Sequence, residues 1–152
     1  MVLRELRRFE RWARENPRTD EKGKIEPWEV AVLTFYRGQE RLLRELLREA
    51  TRDQRAYQSF DLRAGDRVSV RVELCTVDRF QGHEADLVFL SIANPRMTNF
   101  LESVNRLNVA LTRARYQRVI VGHRIRFAKR TGTLLGQLAA SERWQPDLGG
   151  DK

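Results

Sequence analysis

One cysteine, two histidines, four lysines and no long apolar run are the scarcities of this 152-residue chain. A single cysteine, Cys75, excludes an intrachain disulfide and argues against a cysteine-based metal site. His83 and His123 stand apart from any cysteine or acidic cluster at ligand spacing, so no metal-binding residue is expected. No apolar stretch approaches the roughly 20 residues of a membrane helix, and Met1-Val2-Leu3-Arg4-Glu5 lacks the apolar centre of a signal peptide. A cytoplasmic protein is expected. There is no internal repeat and no low-complexity tract.

Positive charge is abundant. The chain carries 29 lysine and arginine residues against 21 acidic ones, a net charge of +8. All the basic residues except Lys22, Lys24, Lys129 and Lys152 are arginine. Such a balance favours a polyanion through counterion release, although an arginine-rich composition by itself would also give an arginine-rich surface. At 41% hydrophobic the chain can still bury a core, and its length suits one domain.

Periodicity supplies the elements. Leu3, Leu6, Phe9 and Ala13 predict a helix over residues 1–15, ended by Asn16-Pro17. Residues 16–27 read as a polar connector. Trp28 to Thr34 is a buried strand centred on Val30-Ala31-Val32-Leu33. Glu40 to Arg52 reads as a helix with Leu42, Leu43, Leu46 and Leu47 as its packed face and arginines opposite. Residues 53–67 are a polar loop with room for one short element. Val68 to Thr76 alternates as a strand, and Leu87 to Ser91 is a second fully apolar strand. After Asn94-Pro95-Arg96, residues 99–115 predict a helix and Gln117 to Gly122 a further strand. Short helices are expected over 123–129 and 133–142. The domain reading is a helix and connector at 1–27 joined to a main body at 28–145, with a frayed tail at 146–152. Strands alternating with helices predict an α/β layer fold with a mainly parallel sheet and right-handed crossovers.

Three polar segments fall at strand ends: Thr34 to Gln39, Thr76 to Glu84, and the helix Asn105 to Arg115. Arg106 and Arg113 are seven residues apart and share a helix face, while Asn108, Thr112 and Arg115 share the next. Paired guanidiniums on such a face suit a phosphate, because each offers forked donors. Arg106 suits equally a brace on Asp78 or Glu84, and Glu84 could simply pair with an arginine. Phe35 and Tyr36 suit base stacking or packing against the next helix.

With these residues in place the sequence resembles a family. Thr76-Val77-Asp78-Arg79-Phe80-Gln81-Gly82-His83-Glu84, followed by Asp86, looks like motif V of superfamily-1 helicases. Arg106-Leu107-Asn108-Val109-Ala110-Leu111-Thr112-Arg113-Ala114-Arg115 looks like their motif VI. Val30 to Gln39 is similar to the strand and turn that precede both. The nearest branch is that of the nonsense-mediated-decay helicase and its bacterial relatives. The resemblance covers residues 28–125 and implies a RecA-like three-layer domain, the second of a pair with ATP in the cleft between them. By that resemblance Arg113 is an arginine finger, Glu84 a ribose contact, and Gln81 and Gly82 the link between nucleotide and nucleic acid, with Arg106 a further nucleotide-side residue. Thr76, Thr34, Gln39 and Arg115 are implied on the nucleic-acid side. The implied partners are a first RecA-like domain and single-stranded DNA or RNA, and the implied cofactors are ATP and Mg2+, with the metal held outside this chain.

The departures are as informative. No stretch reads Gly-x-x-x-x-Gly-Lys followed by Thr or Ser, no acidic pair follows a strand as the magnesium motif does, and Phe35 stands where relatives carry proline. The chain is therefore expected not to hydrolyse ATP alone. The other reading left open is a non-catalytic nucleic-acid-binding or regulatory module derived from a helicase.

Overall fold

The computed structural model describes residues 1–92 and 103–141. The Asn94-Pro95-Arg96 break, the first turn of the helix expected from residue 99, Glu142 and the 146–152 tail lie outside them. Helix α1 spans Val2–Glu15, and a small antiparallel hairpin of β1 (Arg18–Thr19) and β2 (Ile25–Glu26) follows inside the expected connector. Strand β3 is Trp28–Thr34 and helix α2 is Arg37–Thr51. Then come β4 (Ser59–Ala64), β5 (Arg67–Thr76) and β6 (Ala85–Ile92). Helix α3 is Val104–Thr112, strand β7 Ala114–Gly122, helix α4 Arg124–Ala128 and helix α5 Leu134–Ala140.

The main sheet has the order β4-β5-β3-β6-β7. Only β4 is antiparallel; the other four strands run together. β3 lies between β5 and β6, so the two strands flanking the Thr76 to Glu84 segment are neighbours in sequence but not in the sheet. β4 occupies what reads as loop in the sequence. Only Phe60 and Leu62 alternate there against charged residues, too short a signal to stand alone, and pairing with β5 makes the strand.

Both faces of the sheet are covered, which is why β3 and β6 read as continuous apolar runs. Along β3, Val30 and Val32 face α1 and α2 in a cluster with Leu6, Leu43 and Leu47. Ala31 and Leu33 face α3, α4 and α5 with Leu107, Leu111 and Phe127. The result is a RecA-like α/β fold with a mostly parallel five-stranded sheet between helical layers. Among the described residues no helix is long and apolar enough to cross a membrane.

Two expectations about helices change. In α2 the buried positions are Glu40, Leu43, Arg44 and Leu47, while Leu42 and Leu46 are 61% and 36% exposed. Four leucines at 42, 43, 46 and 47 cover a wider arc than the sheet contact does, so only the inner pair is enclosed, and Glu40 and Arg44 share the inner side. The second change is at the end of α3, which stops at Thr112 rather than Arg115. Pairing of Ala114 with Ala85 draws the chain into β7 there, so Arg115 is a strand residue and shares no helix face with Asn108 and Thr112.

Candidate functional site

β5 and β6 both run parallel to β3, so residues 77–84 must travel from the C-terminal rim of the sheet to its N-terminal rim. At the C-terminal rim Thr34 lies opposite Thr76 on one side and Ser91 on the other. The segment leaves β5 in one helical turn, with the Arg79 and Phe80 N–H groups donating to the Thr76 carbonyl at 3.1 Å each. The fully buried Phe80 ring pins this turn to the core. A β-turn follows, closed by the His83 N–H on the Phe80 carbonyl at 3.0 Å. Gly82 is its third residue with φ +86°, the type II geometry that demands glycine.

At the N-terminal rim the Ala85 N–H donates to the Arg113 carbonyl at 3.0 Å. That bond sets Glu84 beside the end of α3. Glu84 is exposed, and Arg113 is half-buried as the C-terminal cap of α3. The Arg113 Nε is buried and has no hydrogen-bond partner among the described residues. A desolvated guanidinium nitrogen without an acceptor is costly, which sets Arg113 apart from the other arginines of this rim.

Arg115 stands at the same rim and meets the opposite fate. It pairs with Glu29 at 2.7 Å, Asp86 at 3.2 Å and Glu84 at 3.6 Å. The hydrogen bonds to Glu29 and then Asp86 raise its pKa above the ordinary arginine value. Asp86 is only 1% exposed; it also accepts from Arg18 at 2.6 Å and from the Glu29 N–H at 2.9 Å. This carboxylate, in a strand otherwise apolar but for Ser91, is the hub of the rim. Its position beside a hydrophobic run was the only signal in the sequence, and nothing there pointed to Arg18.

The expected residues therefore divide between two rims. Glu84 and Arg113 both lie at the N-terminal end, joined through the Ala85 N–H bond to the Arg113 carbonyl. Thr34, Gln39 and Thr76 gather at the C-terminal end. Arg115, grouped with the latter by resemblance, lies with the former and is occupied by carboxylates. Arg106 is near the start of α3 and its Nε meets Asp78 at 3.1 Å, so the brace is the arrangement present. Seven residues of helix put it about 10 Å along the axis from Arg113. Arg106, Asp78 and Gln81 line a pocket of about 140 Å³ with Val77, Asn105 and Val109. Thr34 is fully buried with its hydroxyl donating to the Tyr36 carbonyl, so it offers no surface to a strand. Gln39 donates to the Ser91 hydroxyl, and Thr76 is buried. Phe35 is enclosed in the core and Tyr36 packs on that core, which favours packing over stacking for the pair. Cys75 is a core thiol pushed up to about 12, by burial first and then by the Glu73 charge. His83 is exposed, 3.9 Å from Glu73. Among the described residues no group of histidine, cysteine and acidic side chains is arranged to hold a metal ion.

A mostly parallel five-stranded sheet between helical layers defines a RecA-like α/β domain. The sequence profile of the AAA domain family matches residues 13–125, and the chain belongs to that family, in the C-terminal region of superfamily-1 helicases. It is 34% identical over 105 residues to the Regulator of nonsense transcripts 1 homolog of Drosophila melanogaster, covering 67% of this chain and 8% of that protein. It is 34% identical over 111 residues to the ATP-dependent helicase NAM7 of Saccharomyces cerevisiae, covering 70% of this chain and 10% of that one. Helicase sen1 of Schizosaccharomyces pombe is 36% identical over 97 residues, 62% of this chain and 5% of its own length. The chain thus spans a tenth or less of these relatives.

Proposed function

We propose that this chain is the second motor domain of an ATP-dependent superfamily-1 DNA or RNA helicase, acting with a first RecA-like domain of the same or a partner chain. The observation that carries the reading is the junction at the N-terminal rim, where the Ala85 N–H bond to the Arg113 carbonyl joins the two motif segments, and the Arg113 Nε has no partner among the described residues. Arg113 is the arginine finger. Its charge faces the phosphoryl group as negative charge develops on it, a contribution worth about a thousandfold or more in rate. Glu84 accepts from a ribose hydroxyl, and its contact with Arg115 steadies it while leaving it exposed. Gln81 and Gly82 occupy the middle of the segment joining the two rims and carry displacement from one to the other. Thr76 and Gln39 mark the strand-binding rim; Arg106, read as a nucleotide-side residue, is held by Asp78. ATP and Mg2+ belong chiefly to the first domain, which supplies the phosphate loop and the metal carboxylates missing from this sequence. The setting is cytoplasmic.

Replacing Arg113 by alanine in the full-length protein tests this. Turnover of ATP should fall about a thousandfold or more while nucleotide affinity, read by a fluorescent ATP analogue, stays within a few-fold. Near-normal turnover would overturn the assignment. The rival reading, a non-catalytic module, is separated from this one by the reading frame around the chain: the motor requires a Gly-Lys-Thr or Gly-Lys-Ser loop upstream, and the module does not.

A further inference from the structure

Helix α2 presents Arg37, Arg41, Arg44 and Arg48 at steps of four, three and four residues, a single stripe along one face. With Tyr57 and with Arg79 from the turn after β5, the stripe lines an open groove of about 550 Å³. Its arginines are not equivalent. Arg44 holds Glu40 at 2.6 Å and the Tyr57 carbonyl at 2.7 Å. Arg48 donates to the Ala56 carbonyl at 2.7 Å and pairs with Glu45 at 3.2 Å. Arg79 shares Glu40 at 3.3 Å. These three fasten residues 56–58 and the motif turn to the helix. Arg37 and Arg41 are exposed, and no described residue pairs with either.

Tyr57 completes the arrangement. The Arg44 guanidinium lies over its ring, with Cζ 4.0 Å from the centroid, yet the residue is 60% exposed. A cation on one face fixes the ring without enclosing it. Sites for single strands are built from such parts: an aromatic platform for a base beside cations that follow the backbone. Glu40 and Glu45 are the acidic residues of the lining and both are already bonded to arginines, so the field in the groove is positive. An acidic peptide would use Arg37 and Arg41 but would gain little from an oriented, exposed ring. Arg79 follows Thr76 by three residues, so the groove opens beside the C-terminal rim of the sheet.

We propose that this groove is a second contact for single-stranded nucleic acid, with a base stacked on Tyr57 and backbone phosphates on Arg37 and Arg41. It stands apart from the nucleotide rim and does not depend on the role of Arg113. The test is fluorescence anisotropy of the intact protein with labelled oligothymidylate and oligouridylate across a range of salt concentrations. The double variant Arg37→Gln/Arg41→Gln should lower the slope of log affinity against log salt by about 1.4, the value for two single-strand phosphates. Tyr57→Ala should weaken binding by about tenfold, and Tyr57→Phe should restore it, because stacking needs the ring and not the hydroxyl. A photoreactive 5-iododeoxyuridine oligonucleotide should crosslink to the peptide containing Tyr57. Thermal melting of each variant separates lost contact from lost folding, and Tyr57→Phe keeps the ring under Arg44. Binding that responds only to Thr76→Ala, or crosslinks confined to other peptides, would overturn the groove and leave the motor-domain reading standing. Loss on Arg37→Gln/Arg41→Gln without any effect of Tyr57→Ala would overturn the stacked base and reduce the groove to phosphate contacts alone. Absence of single-strand binding by the unmodified protein would overturn the groove as well, while the Arg113→Ala experiment would still decide the motor reading on ATP turnover.

Discussion

Arg113 and Arg115 are two residues apart and meet opposite surroundings. Three carboxylates satisfy Arg115, whereas Arg113 keeps a buried nitrogen without an acceptor among the described residues. Spacing alone could not separate them, because the periodicity runs one helix through both. The strand pairing that begins at Ala114 turns Arg115 toward Glu29 and Asp86 and leaves Arg113 at the helix cap. Glycines show a similar contrast. Gly82 sits at φ +86°, and a methyl group added at its Cα would meet nothing within 4 Å, so the penalty for Gly82→Ala is conformational strain alone. That substitution should cost about 1 kcal/mol. Gly38, within the first turn of α2 and equally unobstructed, has ordinary helical backbone, and Gly38→Ala should stabilise by about 0.5 kcal/mol. Urea titrations of the two variants check the opposite signs; a shift in the same direction for both would contradict the turn assignment.

The decisive element is the segment between β5 and β6. It is too short for a crossover helix, yet it must pass from one rim to the other because its flanking strands are parallel with β3 between them. One helical turn and one type II turn manage this, and Phe80 is the anchor of both. Phe80→Ala should cost about 3–5 kcal/mol by emptying a fully buried site. Chemical denaturation should show a lower midpoint at unchanged slope; a loss under about 1 kcal/mol would mean that the segment is held by something else. The polar density of this stretch marked it in the sequence as a site. That its two ends serve opposite rims was not legible, since the course of a loop follows from strand order and not from local pattern. The same holds for α2, where leucine periodicity suggested a four-residue packed face and the sheet encloses only Leu43 and Leu47.

For the whole molecule, the excess of positive charge predicts single-strand binding that weakens steeply with salt, and the missing phosphate loop predicts negligible hydrolysis. Measured on the purified 152-residue chain, anisotropy should show affinity falling linearly in log salt, and a coupled phosphate-release assay should show no turnover above background. Fast hydrolysis by this chain would refute the division of labour between two domains. The alternation of strands and helices, the parallel sheet and the motif segments were all legible in the residues, because burial on both faces writes itself as continuous apolar runs and amphipathic helices write themselves as 3.6-residue stripes. The order of strands within the sheet, the edge strand Ser59–Ala64, the hub at Asp86 and the separation of Thr76 from Glu84 came only with tertiary structure. These depend on contacts between residues far apart in the chain, and no local periodicity records which partner a strand end or a carboxylate will find.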